Sequence, residues 1–329
     1  MDMNKIVKGI LIGAGAAADV VAGTVGAAAG LFYAVAFKRE RPKAADKILS
    51  ANKADPEPTP SEILFEQKKE ELKKWLKQKP KADMFINSED GLRLYGQMLW
   101  AEKESMKTVV AVHGFHGEPA GDFALMIPYY HERGYNVLMV DDRAHRKSEG
   151  KLLGFGWNDR RDVVCWCKQL VRLFGEQAEI LITGVSMGGA TVMMASGEKD
   201  LPEQVKAIIE DCGYTSALDQ FRHSFPKQVG FLKEPVLLID SLVSRIANGY
   251  WLQKASSVKQ LKKNTRPILF IHGASDDFVP TEMVYRNYEA TDAEKQLLLV
   301  PGAEHACSCI TNPELYMNTV SAFLDKYGL

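Results

Sequence analysis

Beyond residue 81, short runs of aliphatic and β-branched residues alternate with segments long enough to form helices. Such runs, about five to eight residues long, are typical of strands buried on both faces, and the intervening segments supply the crossover helices that parallel strands need. The pattern predicts an α/β fold, with a mostly parallel central sheet flanked by helices. The predicted strands are a leading hairpin at 84–87 and 92–100, followed by 107–112, 136–140, 179–183, 205–210, 267–271 and 296–300.

Composition excludes several classes of protein. Of the 329 residues, 46% are hydrophobic and 25% are charged, as in an ordinary folded chain. The 41 Lys and Arg residues nearly balance the 42 Asp and Glu residues, so no nucleic-acid partner is predicted. The five cysteines are an odd number and do not form a secreted disulfide pattern, which favours a reducing compartment.

Three regions are predicted along the chain. Residues 1–37 are an N-terminal hydrophobic segment, and residues 38–80 contain a basic stretch, a Pro-rich linker at 51–60 and an amphipathic helix that begins at Pro60 and ends before Pro80. Residues 81–329 form the main domain. Within it, the strand–helix alternation is interrupted at about 214–264, which predicts a helical cap over one end of the sheet. Because the linker precedes this domain, a chain starting near Pro58 is expected to be soluble and active.

The N-terminal segment is predicted to be a membrane anchor. Residues 9–37 contain one charged residue, Asp19, over 29 positions, which is long enough for a single transmembrane helix. However, 16 of these positions are Gly or Ala, so a packed or disordered tail is the alternative. The basic residues that follow the segment favour a cytoplasmic catalytic domain. A secretory signal cleaved near Ala36 would place the domain outside the cytoplasm.

The strand at 179–183 is followed by Gly184-Val185-Ser186-Met187-Gly188 and then by a helix-forming stretch. This is the pattern G-x-S-x-G between a strand and a helix, in which a sharp turn lifts the serine hydroxyl clear of the sheet. Glycines are needed two residues before and two residues after the serine, since larger side chains would collide with the strand and the helix. Ser186 is therefore predicted to be a catalytic nucleophile.

A serine nucleophile requires a base and an acid that orients the base. The loop after the strand 267–271 contains the adjacent carboxylates Asp276 and Asp277, and the loop after the strand 296–300 contains His305. The order Ser, Asp, His along the chain is the order found in α/β-hydrolases. We predict His305 as the base and Asp276 as the orienting acid, although spacing barely separates Asp276 from Asp277.

The negative charge that develops on a carbonyl oxygen during attack must be stabilised by hydrogen-bond donors. The residue after the nucleophile, Met187, is predicted to provide one backbone N–H group, and Phe115, in the loop after the third strand, is predicted to provide the other. The remaining histidines are interpreted as structural or surface groups. The cluster of His305, Cys307 and Cys309 lacks a second pair at zinc-binding spacing, so neither a metal nor a cofactor is predicted.

Four stretches together resemble the α/β-hydrolase superfamily, and more closely its bacterial esterase-like and peptidase-like serine hydrolases with an N-terminal hydrophobic segment. The resemblance extends over about residues 81–329 and implies the α/β-hydrolase fold with a helical cap. In such relatives glycine usually follows the histidine of the second stretch, where this chain has Arg146. The four stretches are His113-Gly114-Phe115, Asp142 to Gly150, Gly184 to Gly188, and His272 to Pro280.

These predictions converge on a serine hydrolase that cleaves carboxylic esters through an acyl-enzyme intermediate. The predicted partner is a small-molecule ester or a short acyl or peptide substrate, and the protein is expected to associate with membranes through residues 9–37. Hydrolysis of amides or peptides, acyl transfer on the same triad, and a catalytically silent, membrane-tethered binding protein are the alternatives.

Overall fold

The computed structural model describes residues 26, 29–30, 33–40, 60–224 and 233–329. The strands are β1 Lys81–Asn87, β2 Arg93–Leu99, β3 Lys107–Val112, β4 Asn136–Val140, β5 Glu179–Val185, β6 Val205–Asp211, β7 Ile268–Gly273 and β8 Lys295–Val300. The α-helices are α1 Pro60–Lys77, α2 Pro119–Asp122, α3 Met126–Glu132, α4 Asp159–Phe174, α5 Met187–Ala195, α6 Ala217–Ser224, α7 Lys233–Ala247, α8 Ser257–Leu261, α9 Glu282–Glu289, α10 Ser308–Thr311 and α11 Pro313–Lys326.

The strands form one eight-stranded sheet in the order β1-β2-β4-β3-β5-β6-β7-β8. The hairpin β1–β2 adds to β4 in antiparallel fashion, and every other pair is parallel. The predicted α/β class, the leading hairpin and the six buried strands are confirmed, with boundaries shifted by a few residues at most. This order and direction are those of the α/β-hydrolase fold.

Helices cover both faces of the sheet because successive side chains of each central strand point to opposite faces. In β3, Val109 and Ala111 belong to one buried cluster, and Val110 and Val112 belong to another. The first cluster is closed by helices α1, α3 and α11, and the second by α4, α5 and α9. A sheet buried on both sides leaves its strand ends as the accessible edges, which is where sites form in such folds.

The region predicted as a cap contains helices α6 and α7, which follow β6. An antiparallel bridge between Ser216 and Ser256 closes its base, and the Ala217 amide donates to the Ala255 carbonyl at 2.9 Å. Helix α8 is inside the predicted 214–264 range but begins after the base of the cap. Its Ser257 hydroxyl donates to the Tyr214 carbonyl at 2.8 Å. The chain thus leaves the sheet region and returns to it at one narrow point.

Residues 33–40, here called the strap, pack against the hydrolase domain. The Leu153 amide donates to the Phe37 carbonyl at 2.8 Å, and the Arg39 amide donates to the Lys151 carbonyl at 3.0 Å. Phe37 is fully buried, with its ring 4.8 Å from that of Phe155 and 5.5 Å from that of Phe221. The strap therefore contacts both the segment after β4 and cap helix α6.

The strap includes the carboxyl-terminal end of the predicted transmembrane segment. Tyr33, Ala36 and Phe37 are buried by protein side chains, because aromatic partners from the hydrolase domain surround them. Within the described ranges, no helix has both the length and the apolarity needed to cross a bilayer. Residues 1–25, which include most of the predicted segment and Asp19, lie outside the described residues, as do positions 51–59 of the predicted linker 51–60.

Candidate active site

Ser186 occupies the sharp turn between β5 and helix α5. Its backbone has φ 57° and ψ −115°, a conformation that residues other than glycine rarely adopt. Its amide donates to the Asp211 carbonyl at 2.8 Å. A Cβ atom on Gly184 would collide with the Gly188 carbonyl, and one on Gly188 would collide with the Val112 carbonyl. The two glycines are thus required sterically, which is the reason inferred from the sequence.

The side chains of Ser186, His305 and Asp276 are hydrogen-bonded in series. The Ser186 Oγ lies 2.9 Å from His305 Nε2, and His305 Nδ1 lies 2.8 Å from Asp276 Oδ2. The serine follows β5, the aspartate follows β7 and the histidine follows β8, so three strand ends at one edge of the sheet bring together residues up to 119 positions apart. With the aspartate accepting from Nδ1–H, the unprotonated Nε2 faces the serine hydroxyl.

Asp276 is completely enclosed and accepts several hydrogen bonds. Its Oδ1 accepts from the amides of Phe278 at 2.9 Å and Val279 at 2.8 Å, while the His272 Nε2 lies 3.3 Å from its Oδ2. Burial by itself disfavours the charged form, but hydrogen bonds from His272, His305 and the Val279 amide outweigh it and lower the pKa of Asp276 to about 2. The carboxylate is therefore ionised at neutral pH.

Asp277, the neighbouring candidate, is exposed, and its backbone carbonyl accepts from His223 Nε2 at 2.7 Å. Asp276 is the member of the pair whose carboxylate contacts His305. Of the other histidines, His131 bonds the Trp100 carbonyl at 3.2 Å, away from the site.

The loop that contains Phe115 lies against the nucleophile. A Cβ atom on Gly114 would come within 3.3 Å of the Ser186 Cβ, so the loop backbone is in van der Waals contact with the turn. The Gly114 amide donates to Asp122 Oδ2 at 2.6 Å, and the Gly117 amide donates to the Gly114 carbonyl at 3.0 Å. Met187 is the first residue of helix α5, where backbone N–H groups have no acceptor within the helix. Both predicted donors are therefore on backbone next to Ser186.

Two buried histidines, His113 and His145, hold this loop, and the sequence analysis interpreted both as structural or surface groups. His145 accepts the His116 amide N–H at its Nε2, at 3.2 Å, and donates from Nδ1 to the Arg143 carbonyl at 2.9 Å. Burial, together with the neighbouring His113, lowers the pKa of His145 to about 3, so the ring stays an acceptor. His113 bonds the Gly114 carbonyl at 2.7 Å and accepts the Asp142 amide at 3.1 Å.

Arg146 stands where the family resemblance leads us to expect glycine. Its φ of 42° is in the left-handed region, which explains why glycine suits this turn. The guanidinium lies 2.5 Å from Glu118 and 3.3 Å from Asp141, and the carbonyl accepts a hydrogen bond from Arg39 of the strap. These partners hold the arginine in a conformation that is unfavourable for its backbone.

An aromatic cluster lies beside the nucleophile turn. Phe155 is 5.7 Å from Phe115 and 4.7 Å from Phe221 between ring centroids, and Met187 is part of the same buried group. Phe221, from cap helix α6, is thus part of this cluster. Trp251, by contrast, is partly exposed on the outer surface. Phe225 and Phe231 lie outside the described residues.

Cys212 is a further residue near the triad that the sequence did not single out. It is buried, has φ 49°, and its Sγ lies within 4.8 Å of ligand atoms of both Asp276 and His305. Its position directly after β6 was the available signal, because the carboxyl ends of neighbouring parallel strands meet at one edge. Among the described residues, the potential metal ligands that come together are these three, and Cys307 and Cys309 are not part of the group.

Similar proteins fall into one structural class. The chain is 27% identical over 226 residues to the uncharacterized protein YqkD of Bacillus subtilis, covering 69% of this chain and 73% of that one. It is 24% identical over 258 residues to the α/β hydrolase domain-containing protein WAV2 of Arabidopsis thaliana, covering 75% and 79%. The esterase Pf2001 of Pyrococcus furiosus superposes with a TM-score of 0.60 at 23% identity, over 78% of this chain and 95% of that one.

A second solved structure, of Est1E from Butyrivibrio proteoclasticus with bound ferulic acid, has a TM-score of 0.58 at 21% identity and covers 74% of this chain and 98% of that one. At such identities the solved structures establish the fold. Residues 122–328, more than half of the chain, match the prolyl oligopeptidase family. The chain is an α/β-hydrolase that belongs to the prolyl oligopeptidase family.

Proposed function

We propose that this hydrolase cleaves carboxylic esters through an acyl-enzyme intermediate formed on Ser186. The observation that carries the proposal is the hydrogen-bonded series from Ser186 Oγ to His305 Nε2 at 2.9 Å and from His305 Nδ1 to Asp276 at 2.8 Å. The serine attacks the ester carbonyl while His305 Nε2 accepts its proton. The tetrahedral oxyanion is stabilised by the backbone N–H groups of Met187 and Phe115, each contributing about 2.7–4 kcal/mol in the transition state.

The proton then passes from His305 to the leaving alkoxide, which departs as an alcohol and leaves the acyl group on Ser186. A water molecule attacks the acyl-enzyme, again giving its proton to His305, and the carboxylic acid is released as the proton returns to the serine. Asp276 remains an anion throughout, since its pKa is about 2, and it stabilises the imidazolium that forms twice in each cycle. This mechanism uses side chains and backbone of the chain alone.

The apolar surroundings of Ser186 support an ester with an apolar acyl or aryl group. Phe115 and Met187 would border such a group, with Phe155 and Phe221 behind them. Hydrolysis of an amide or peptide is the second candidate, and the match of residues 122–328 to the prolyl oligopeptidase family is the observation that favours it. The same triad can cleave an ester or an amide bond, and His305 would protonate the leaving amine.

The decisive experiment compares wild type with Ser186→Ala. We expect wild type to hydrolyse p-nitrophenyl esters of at least one acyl length and to react with a fluorophosphonate probe, and Ser186→Ala to lose about 10³-fold or more of its kcat and all labelling, because only oxyanion stabilisation and binding remain. A panel of aminoacyl and peptidyl anilides measured in parallel decides between ester and amide. Labelling of Ser186→Ala, or undiminished turnover, would show that the nucleophile is a different residue.

A further inference from the structure

Cap helix α7 buries Val236 and Leu237 near its start, but farther along it buries polar side chains and exposes aliphatic ones. Asp240, Ser241 and Ser244 are buried against the domain. The opposite face presents large aliphatic side chains on successive turns, with exposed fractions of 65% for Leu238, 48% for Leu242 and 78% for Ile246. A helix at the surface of a water-soluble domain normally turns such a stripe inward and its polar residues outward.

Hydrogen bonds fix the rotation of this helix. The Ser241 hydroxyl accepts the Leu252 amide at 3.2 Å and donates to the Gln253 side chain at 2.9 Å. The Ser244 hydroxyl donates to the Tyr250 carbonyl at 3.0 Å. Turning the stripe inward would break these bonds and expose Val236 and Leu237, which are now buried. The outward leucines are thus built into the cap, and contiguous exposed apolar stripes of this kind are typical of interaction surfaces.

The segment that begins in the last turn of α7 and continues beyond it is basic. Residues 245–263 contain five basic residues and no Asp or Glu, and all five are exposed: Arg245, Lys254, Lys259, Lys262 and Lys263. Trp251, in the same stretch, is 41% exposed. A stripe of aliphatic side chains combined with lysines and an exposed tryptophan suits the boundary between headgroups and acyl chains of an anionic bilayer.

The strap reaches the same end of the helix. The Tyr33 hydroxyl donates to the Asn248 side chain at 3.1 Å, directly after the end of α7 and two residues from Ile246. The preceding sequence, from Gly9 onward, contains Asp19 as its one charged residue before Lys38. The strap therefore contacts the chain directly after the exposed stripe.

We propose that the outer face of α7 docks on the surface of an anionic lipid bilayer, with Leu238, Leu242 and Ile246 inserted at the headgroup boundary. Docking in this orientation brings the cap, and the site beneath it, to the phase in which long-chain esters accumulate. That benefit rests on the proposed ester hydrolysis, whereas the docking itself rests on the stripe and its charges.

The test uses the full-length protein and flotation with vesicles of phosphatidylcholine and phosphatidylglycerol at a ratio of 7:3. We expect Leu242→Gln combined with Ile246→Gln to lower the vesicle partition coefficient at least tenfold. The control, Phe85→Gln combined with Leu173→Gln, alters two exposed apolar residues outside the cap and should change the partition coefficient less than twofold. Melting temperatures verify folding, and Leu238→Gln alone replaces the double variant if that variant unfolds.

A second measurement separates the cap from the beginning of the chain. Brominated phosphatidylcholine in the same vesicles should quench tryptophan fluorescence in wild type, and Trp251→Phe should remove that quenching. The proposal is overturned if wild type stays free of vesicles, if the stripe variant binds as wild type does, or if quenching survives in Trp251→Phe. A dimer in sedimentation equilibrium that the stripe variant dissociates, without vesicle binding, would assign the stripe to a second copy instead.

Hydrolysis of p-nitrophenyl butyrate by wild type, measured without vesicles, tests the proposed function separately. Absent hydrolysis with stripe-dependent vesicle binding would remove the ester hydrolase and leave the docking surface. Normal hydrolysis with no vesicle binding would support the ester hydrolase and overturn the docking surface.

Discussion

Asp276 and Asp277 are adjacent in sequence and differ entirely in environment. The Asp276 carboxylate has amide donors on Oδ1 and two imidazoles close to Oδ2, whereas Asp277 is exposed. The difference arises because the loop after β7 folds back, so that the amides of Phe278 and Val279 point at the preceding carboxylate. A one-residue shift along the chain thus separates a buried anion from a solvated one.

This contrast gives a matched pair of variants. Asp276→Asn should lower kcat by about 10³- to 10⁴-fold, because an amide in place of the carboxylate favours the wrong imidazole tautomer and cannot stabilise the imidazolium. Asp277→Asn should change kcat less than about threefold, as expected for an exposed side chain. Steady-state kinetics on one p-nitrophenyl ester measures both. Equal losses in the two variants would mean that Asp276 does not orient the base.

The oxyanion loop provides a second residue-scale prediction through His145. His145→Leu removes the acceptor of the His116 amide and should lower kcat by about 10- to 100-fold, less than the loss of an oxyanion donor itself, with KM changed little. His145→Gln can offer an oxygen at a similar position and should recover part of the loss. The control is His131→Gln, a buried histidine away from the site. A rise in KM with unchanged kcat would contradict a role in holding the loop.

At the scale of elements, the strap connects parts of the domain that are distant in sequence. Arg39 bonds the carbonyls of Ser148 and Arg146, and Phe37 packs on Phe155 and Phe221. The turn after β4 and the cap are therefore held by residues that precede the predicted linker. This packing argues against the expectation that a chain starting near Pro58 is soluble and active, because such a chain would lack Phe37 and leave the aromatic cluster exposed.

Phe37→Ala should lower the free energy of unfolding by about 3–5 kcal/mol, because it removes a fully buried ring and leaves a cavity among aromatic neighbours. Urea unfolding followed by fluorescence and circular dichroism measures the loss. Phe85→Ala, at a partly exposed ring on β1, is the control and should cost less than about 1.5 kcal/mol. A loss for Phe37→Ala no larger than that of the control would mean that the strap is not part of the folded domain.

At the scale of the whole molecule, the free energy of unfolding depends on pH through the buried carboxyl group of Asp240. Both oxygens of Asp240 are buried and lack a hydrogen-bond partner in the described part of the chain. Burial raises the pKa of Asp240 to about 7. A raised pKa means that the folded state binds the proton more tightly than the unfolded state. The protonated Asp240 carboxyl therefore makes its full contribution to the free energy of unfolding below the unfolded pKa of about 4. That contribution is lost as the pH rises through about 7.

Asp240→Asn tests this dependence, because asparagine keeps the shape of the protonated acid and does not ionise. The difference in free energy of unfolding between the variant and wild type should shift by about 2–4 kcal/mol in favour of the variant when the pH is raised from 4.5 to 8. Urea unfolding at several pH values measures the difference, and Asp277→Asn serves as an exposed control. The same pH dependence in wild type and Asp240→Asn would show that Asp240 is ionised in the folded protein.

The sequence by itself was sufficient for those features that depend on neighbours along the chain. The eight strands follow from apolar periodicity, and the start of α5 directly after Ser186 follows from the steric demands of Gly184 and Gly188. Because parallel strands present their carboxyl ends at one edge, the order Ser186, Asp276, His305 also predicted that these side chains would meet. Local sterics and strand direction are properties that a linear pattern contains.

Tertiary structure alone decided the rest, since it depends on contacts between residues far apart in sequence. The choice of Asp276 depends on the position of His305, 29 residues later, and the role of His145 depends on the His116 amide, 29 residues earlier. The strap reaches Asn248 across 215 positions. The outward stripe of α7 is set by hydrogen bonds from Ser241 and Ser244 to residues after the helix. Periodicity shows that a helix has two faces, but only packing determines which of them meets the core.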